Sequence, residues 1–294
     1  MQSLETMVRL RFQRSTKTPA SGLTTVQPVA AQRIVAVREH HGMQWSLQKR
    51  FNNGLNLTVN YTLSKSIDLG STPENQGSFS GFIQNTWNPN EMRAVSDYDT
   101  LHQINIYGVY QIPVGRGQKF GTNMPRALDY IIGGWQISGV YRQTSGLPTT
   151  IGNGQRWPTN WEVDAFATPN GQPLPPVTNT GNSTLKGGGP NLWDNPAAAF
   201  AGFTETPPGQ VGLRNNIRGS GYFNIDSGVY KNFPIPLREG MGLQFRWESY
   251  NLTNSVRFDP ASTGSNTLQS STFGSLTSTL TAPRQMQFAL RLSW

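Results

Sequence analysis

Cysteine is absent from the chain, and so are long apolar runs, catalytic signatures and dense charge. With no cysteine, the polypeptide can cross an oxidising compartment without forming stray bridges. No stretch of about 20 consecutive apolar residues occurs, which excludes a membrane-spanning helix. It does not exclude a membrane-spanning strand, because such a strand needs only alternate apolar residues over roughly 9 to 11 positions. G-x-S-x-G, H-E-x-x-H and paired-carboxylate settings are missing, so an enzyme is not expected and a hydrolase is the weakest functional reading. The opening stretch, Met1 to Ala20, has neither an apolar core of about 7 to 15 residues nor a small-residue cleavage site, and therefore does not read as a secretory signal.

What is present favours strands and turns. Only 14% of residues are charged, whereas Gly (31) and Pro (20) are plentiful alongside Asn, Ser and Thr. Hydrophobic residues make up 35% of the chain and the mean hydropathy is −0.47. Those values ordinarily suggest a soluble protein, but a membrane barrel also keeps its mean hydropathy low. The net charge of +8 raises the question of nucleic acid. The basic residues are dispersed, with no run longer than two and no helix to carry them into a groove. We therefore expect no nucleic acid, and acidic lipid headgroups or an anionic solute in a lumen are better partners.

Alternation of apolar and polar residues recurs along the chain. Met286, Phe288, Leu290, Leu292 and Trp294 fall on one parity of the last stretch, with Gln285, Gln287, Arg291 and Ser293 on the other. The same pattern places Met43, Trp45, Leu47, Lys49 and Phe51 opposite Gln44, Ser46, Gln48 and Arg50. Leu55, Leu57, Val59, Tyr61 and Leu63 oppose Asn56 to Ser64; Ile104, Ile106, Gly108 and Tyr110 oppose Gln103, Asn105 and Tyr107. Further strands are predicted around Trp135 to Arg142, Phe223 to Tyr230 and Met241 to Glu248, and Val8, Leu10 and Phe12 suggest one more near the start. About seven to eight strands result.

The intervening segments alternate between short and long. Pairing grease with grease across Asn52-Asn53-Gly54 requires a three-residue loop, which sets Leu47 opposite Val59 and puts Gly54 in the left-handed conformation. His40-His41-Gly42 reads as a polar bulge. The short connections near Asn52 and Pro234 and the medium one from Pro113 to Ile132 fall at one end of the predicted sheet. The long ones, Ser66 to Thr100, Gly146 to Gly219 and Asn254 to Ala282, fall at the other. Tight periplasmic turns and extended extracellular loops are the signature of an outer-membrane barrel. The longest segment is too long for an ordinary loop, so it is expected to be functional or disordered.

Several phrases in fixed order carry a family resemblance: WSLQKRF (Trp45 to Phe51), NYTLSKSID (Asn60 to Asp68), RGSGYFNIDSGVYKNFPI (Arg218 to Ile235), LQFRWESYNLTN (Leu243 to Asn254) and PRQMQFALRLSW (Pro283 to Trp294). With them the chain resembles the C-terminal barrel region of TonB-dependent outer-membrane receptors of the Oar-like group, from about Arg33 to the end. The resemblance implies uptake of a scarce nutrient, driven by an inner-membrane TonB complex acting on an N-terminal plug that this chain does not contain. It also marks Met286, Phe288, Leu290, Leu292 and Trp294 as the signal read by the barrel-assembly machinery.

The expectation is thus an all-β, antiparallel transmembrane β-barrel segment in the outer membrane, with residues 1–32 poorly defined and residues 33–294 forming the barrel part. Lumen-plugged transporters need about 22 strands, so the chain is expected to be a fragment lacking plug and signal peptide. Arg50, Arg142, Arg246, Glu248 and Arg291 are predicted to face the lumen. Trp87, Trp157, Trp161 and Trp193, set among Asn, Gly and Pro in the outer loops, are candidates for contact with a small solute or oligosaccharide. The rival reading is a soluble or surface all-β glycan-binding module using those loops. No cofactor and no metal site is expected: His40 and His41 point to opposite faces, and His102 near Asp97 and Asp99 offers only a weak cation site. Gly115-Arg116-Gly117 lacks the helix that would make it a phosphate cradle and reads as a turn.

Overall fold

The fold was analysed on a computed structural model, which describes residues 6–13, 39–50, 54–71, 84–85, 87–156, 164–178, 189–237, 241–260 and 266–294. Eight long strands build one wall: β1 (Thr6–Gln13), β2 (Glu39–Arg50), β3 (Leu55–Asp68), β4 (His102–Gln111), β5 (Trp135–Thr144), β6 (Tyr222–Pro234), β7 (Gly242–Tyr250) and β8 (Gln285–Ser293). Each pairs antiparallel with its sequence neighbour, so the wall is a meander in chain order. The short strand Ala94–Val95 adds to the outer end of β3. Among the described residues β1 and β8 do not pair with each other, and the sheet ends on both as edges.

Register preserves the alternation read from the sequence. Leu47 lies opposite Val59 and Trp45 opposite Tyr61, Val59 opposite Ile106, Ile106 opposite Tyr141, Val229 opposite Ile137 and Trp247 opposite Phe288. One face is therefore apolar from strand to strand, as a sheet fixed by its hydrophobic pattern requires. Gly54 has φ +81°, the left-handed conformation expected of it; Asn52 and Asn53 lie outside the described residues. His40-His41-Gly42 is not a bulge: His40, His41 and Gly42 continue the ladder opposite Ser66, Lys65 and Ser64 without a shift. The extended residues satisfy their backbone groups in regular pairing, so nothing is gained by inserting an unpaired one.

Among the described residues, no second protein layer covers the apolar face of the last strand. Phe288 is 71% and Leu290 69% exposed, with Met286, Leu292 and Trp294 exposed beside them. Among the described residues no helix is long and apolar enough to cross a membrane. The strands supply the long greasy face of the wall.

A hydrophobic core does exist, but it lies in the long connections. Ile151, Ala167, Leu192, Trp193, Ala199, Phe203, Ile217, Phe273 and Leu276 pack together beyond the ends of the strands. The described parts of the longest segment are thus folded. Small ladders pair Pro148–Thr149 with Ile217–Arg218 and Thr168–Pro169 with Phe203–Thr204. A helix, α2 (Pro196–Ala201), has Asn195 as its N-cap, whose side chain accepts the Ala198 N–H, and Pro196 in its first turn; both choices stabilise a helix start. The third long connection is woven into the second: Leu192 N–H donates to Gly274 O at 2.8 Å and Gly152 N–H to Asn266 O at 2.6 Å.

Candidate functional site: the polar face and its outer cap

The face opposite the apolar one is hydrophilic. Arg50, Arg142, Arg246, Glu248 and Arg291 all share it, because Arg50 pairs with Asn56, Arg142 with Asn105 and Asn224, Glu248 with Gln287, and Arg291 with Gln244. The five do not form one cluster. Arg50 stands on β2, far from β7, and Arg142 on the outer half of β5, whereas Arg246, Glu248 and Arg291 are neighbours on β7 and β8.

Around Glu248 a polar ladder crosses four strands. Ser138 Oγ donates to Tyr230 Oη at 3.3 Å, and Tyr230 Oη donates to Glu248 Oε1 at 3.2 Å. Gln287 Nε2 donates to the other carboxylate oxygen, which Tyr250 Oη also approaches at 3.4 Å. The carboxylate is therefore held by neutral donors. Arg246 turns elsewhere: its Nε donates to Gln244 Oε1 at 2.5 Å and its guanidinium lies 5.7 Å from the Tyr230 ring centre. The expected charge network is thus chiefly a hydrogen-bond network. Arg246 and Arg291 together line a cavity of about 470 Å³ with Asn232, Gln244 and Ser293, near the short turn that follows β6. Phe233, Pro234 and Leu243 complete the lining, so the concavity mixes apolar and basic groups.

At the other end, the long connections form a cap joined to the wall by a buried ion pair and knit together by further ion pairs. Arg214 is the central residue. Its Nη2 donates to Asp68 Oδ1 at 2.5 Å and its Nη1 to Asp97 Oδ1 at 3.0 Å, the Arg214 and Asp68 side chains being 6% and 3% exposed. It also donates to Asp68 O at 3.0 Å and Met92 O at 3.2 Å. Arg218 Nη2 pairs with Asp99 Oδ2 at 2.6 Å, and its Nη1 donates to Gly146 O at 2.8 Å. Asn215 Nδ2 bridges Asp97 Oδ1 and Val95 O at 2.6 and 2.8 Å. These contacts tie the first long connection to the second and both to the outer end of β3. Sequence reasoning missed them: the partners are 72 to 146 positions apart, and the signal was only the presence of basic residues among acidic loops.

The proposed cation site is occupied by protein. His102 Nδ1 lies 2.9 Å from Tyr61 Oη, while Asp97 and Asp99 are engaged by Arg214 and Arg218. Gly115-Arg116-Gly117 is a turn, with Gly115 N–H donating to Phe120 O at 2.9 Å. Of the tryptophans, Trp193 is 1% exposed and stacks at an angle with Phe203, ring centres 6.1 Å apart. Its ring holds the cap together and presents no face to a solute. Trp87 is 72% exposed on the first long connection, whereas Trp157 and Trp161 lie outside the described residues.

Comparison with curated proteins and comparison with solved structures each give no match. A family model described as "Outer membrane beta barrel domain" matches residues 11–287. That match agrees with an antiparallel wall greasy on one side, hydrophilic on the other, with short turns at one end and a folded cap at the other. The soluble alternative accordingly gives way to the outer membrane. The chain belongs to the outer membrane beta barrel domain family.

Proposed function

We propose that the chain forms the wall and outer loops of a TonB-dependent-receptor-like transporter that takes up a scarce, hydrophilic nutrient. The observation that carries this reading is the continuous polar face, with Arg50, Arg142, Arg246 and Arg291 distributed along it. Backbone edges cannot stand unpaired in hydrocarbon, so β1 and β8 require strand partners in the membrane. A larger wall, able to hold a plug, meets that requirement. The resemblance of Trp45 to Phe51, Arg218 to Ile235 and Pro283 to Trp294 to the Oar-like group supplies the class of transporter, and with it the plug and the TonB complex as partners. The cap is then the surface that meets the solute, with Trp87 exposed on it.

The test is uptake in cells. Labelled ferric siderophores, cobalamin and oligosaccharides too large for general porins are supplied to cells with and without the gene. The reading expects accumulation of one of them to be lost on deletion and on addition of a protonophore. Flux that survives the protonophore would show a passive pore instead, and surface retention without uptake would show a capture protein.

A further inference from the structure

The connection between β4 and β5 lies against the hydrocarbon side of the wall. It contains a helix, α1 (Arg126–Ile132), that sequence reasoning passed over as a simple link. Asp129 Oδ1 accepts the Arg116 N–H at 2.8 Å, which joins the helix to the preceding turn. Tyr130 packs on Phe233, ring centres 5.4 Å apart, and its hydroxyl donates to Pro234 O at 3.4 Å. Trp135 Nε1 donates to Ile131 O at 3.0 Å.

The strongest attachment is Lys231. It belongs to the apolar row of β6, with Trp135 and Phe245 beside it in register, where a bare ammonium facing lipid is costly. Here its Nζ donates to Ile131 O at 3.1 Å and to Gly133 O, carbonyls at the end of α1 that lack helical partners. It also lies 5.3 Å and 5.0 Å from the ring centres of Trp135 and Phe233. The lysine is buried because the helix covers it.

Asp129 and Tyr130 make the contacts to the protein, Tyr130 staying 45% exposed, and Leu128, Ile131 and Ile132 remain. They are spaced i, i+3 and i+4, share one side of the helix, and are all exposed, Ile131 to 64%. Three large apolar side chains on one exposed helical face are expected to meet a non-aqueous surface. The surface at hand is the bilayer that already bathes Phe233 and Trp135, at the short-turn end and so at the periplasmic leaflet. The same connection carries three exposed cations, Arg116, Lys119 and Arg126.

We propose that α1 is an interfacial anchor: Leu128, Ile131 and Ile132 enter the acyl region of the periplasmic leaflet while Arg116, Lys119 and Arg126 engage anionic phospholipid headgroups. This rests on the membrane orientation of the wall and not on the nature of the transported solute. A basic residue near an anionic surface is worth about fivefold in preference for it.

Because the chain has no cysteine, Ile131→Cys gives a single site for an environment-sensitive fluorophore. The full chain is reconstituted in phosphatidylethanolamine vesicles with or without phosphatidylglycerol, and folding is verified by heat-modifiable gel migration. The expected result is a blue-shifted label quenched by acyl-chain nitroxides, more strongly when phosphatidylglycerol is present, while a label at Gln172→Cys on the cap stays aqueous. Replacing Arg116, Lys119 and Arg126 together with Gln should abolish the phosphatidylglycerol dependence. Should Ile131→Cys fail to fold, Leu128→Cys carries the same measurement. An aqueous, iodide-accessible label at position 131 overturns the anchor, as does one shielded only by an added protein; insertion indifferent to phosphatidylglycerol overturns the headgroup contact.

Discussion

Arg214 should be the residue on which the outer cap depends most. Replacing it with Met keeps much of the aliphatic stem but removes the charge that faces Asp68, whose side chain is 3% exposed. Removing one partner of a buried ion pair costs about 3–5 kcal/mol, because the remaining charge is left desolvated and unpaired. The contact with Asp97 adds little: that side chain is 40% exposed, and pairs open to water contribute about 0–1 kcal/mol. The loss is local, since the wall strands are held by their own ladders. Amide exchange reads it directly. Protected cap amides, such as those of Gly219 (to Leu147 O) and Ser96 (to Ser66 O), should exchange roughly 10² to 10³ times faster in Arg214→Met. Wall amides in β6 and β7 should not change. Adding Asp68→Asn should recover part of the protection, because it removes the stranded carboxylate. Less than about a tenfold change in the cap amides, or equal acceleration in wall and cap, would refute the reasoning.

Three other outcomes follow from the same geometry. Phe288→Arg places a cation on the lipid side near the middle of β8 and should cost about 2–4 kcal/mol, whereas Gln287→Arg on the polar side, next to Glu248, should cost little; urea titration of the vesicle-embedded protein compares them. Trp294→Ser should lower the yield of heat-modifiable protein in the outer membrane, and unchanged assembly would remove Trp294 from the assembly signal. Gly212→Ala should loosen the cap, because Gly212 has φ +81° and an added Cβ would stand 1.8 Å from Phe166 O; faster proteolysis of the outer loops, with the wall fragments intact, is the readout.

The wall was legible because a sheet between two solvents writes its structure with period two. Leu47 against Val59 followed from matching apolar positions across a turn, and Gly54 from the conformation such a turn needs. The cap was not legible for the opposite reason. Ile151, Leu192, Phe203 and Phe273 come from separate connections and share no period, so only the folded chain reveals that they form one core. Arg214 gave no hint of its partner 146 positions away. Helix α1 spans seven residues, too few for a helical repeat to stand out, although Pro125 before it and Gly133-Gly134 after it mark its limits. The histidines misled because a Gly beside two polar residues suggests an irregularity, while the ladder there is regular.

The weaving of the third long connection through the second has a bearing on the order of biogenesis. Asn266 and Gly274 reach Gly152 and Leu192 from a segment anchored at both ends only when β8 has zipped onto β7. Before that moment the segment is held at one end, and drawing it into the cap carries an extra entropic cost. A sealed exterior is consequently the mark of a strand set already threaded into the bilayer, and an antibody specific for the closed surface would distinguish finished molecules from stalled ones.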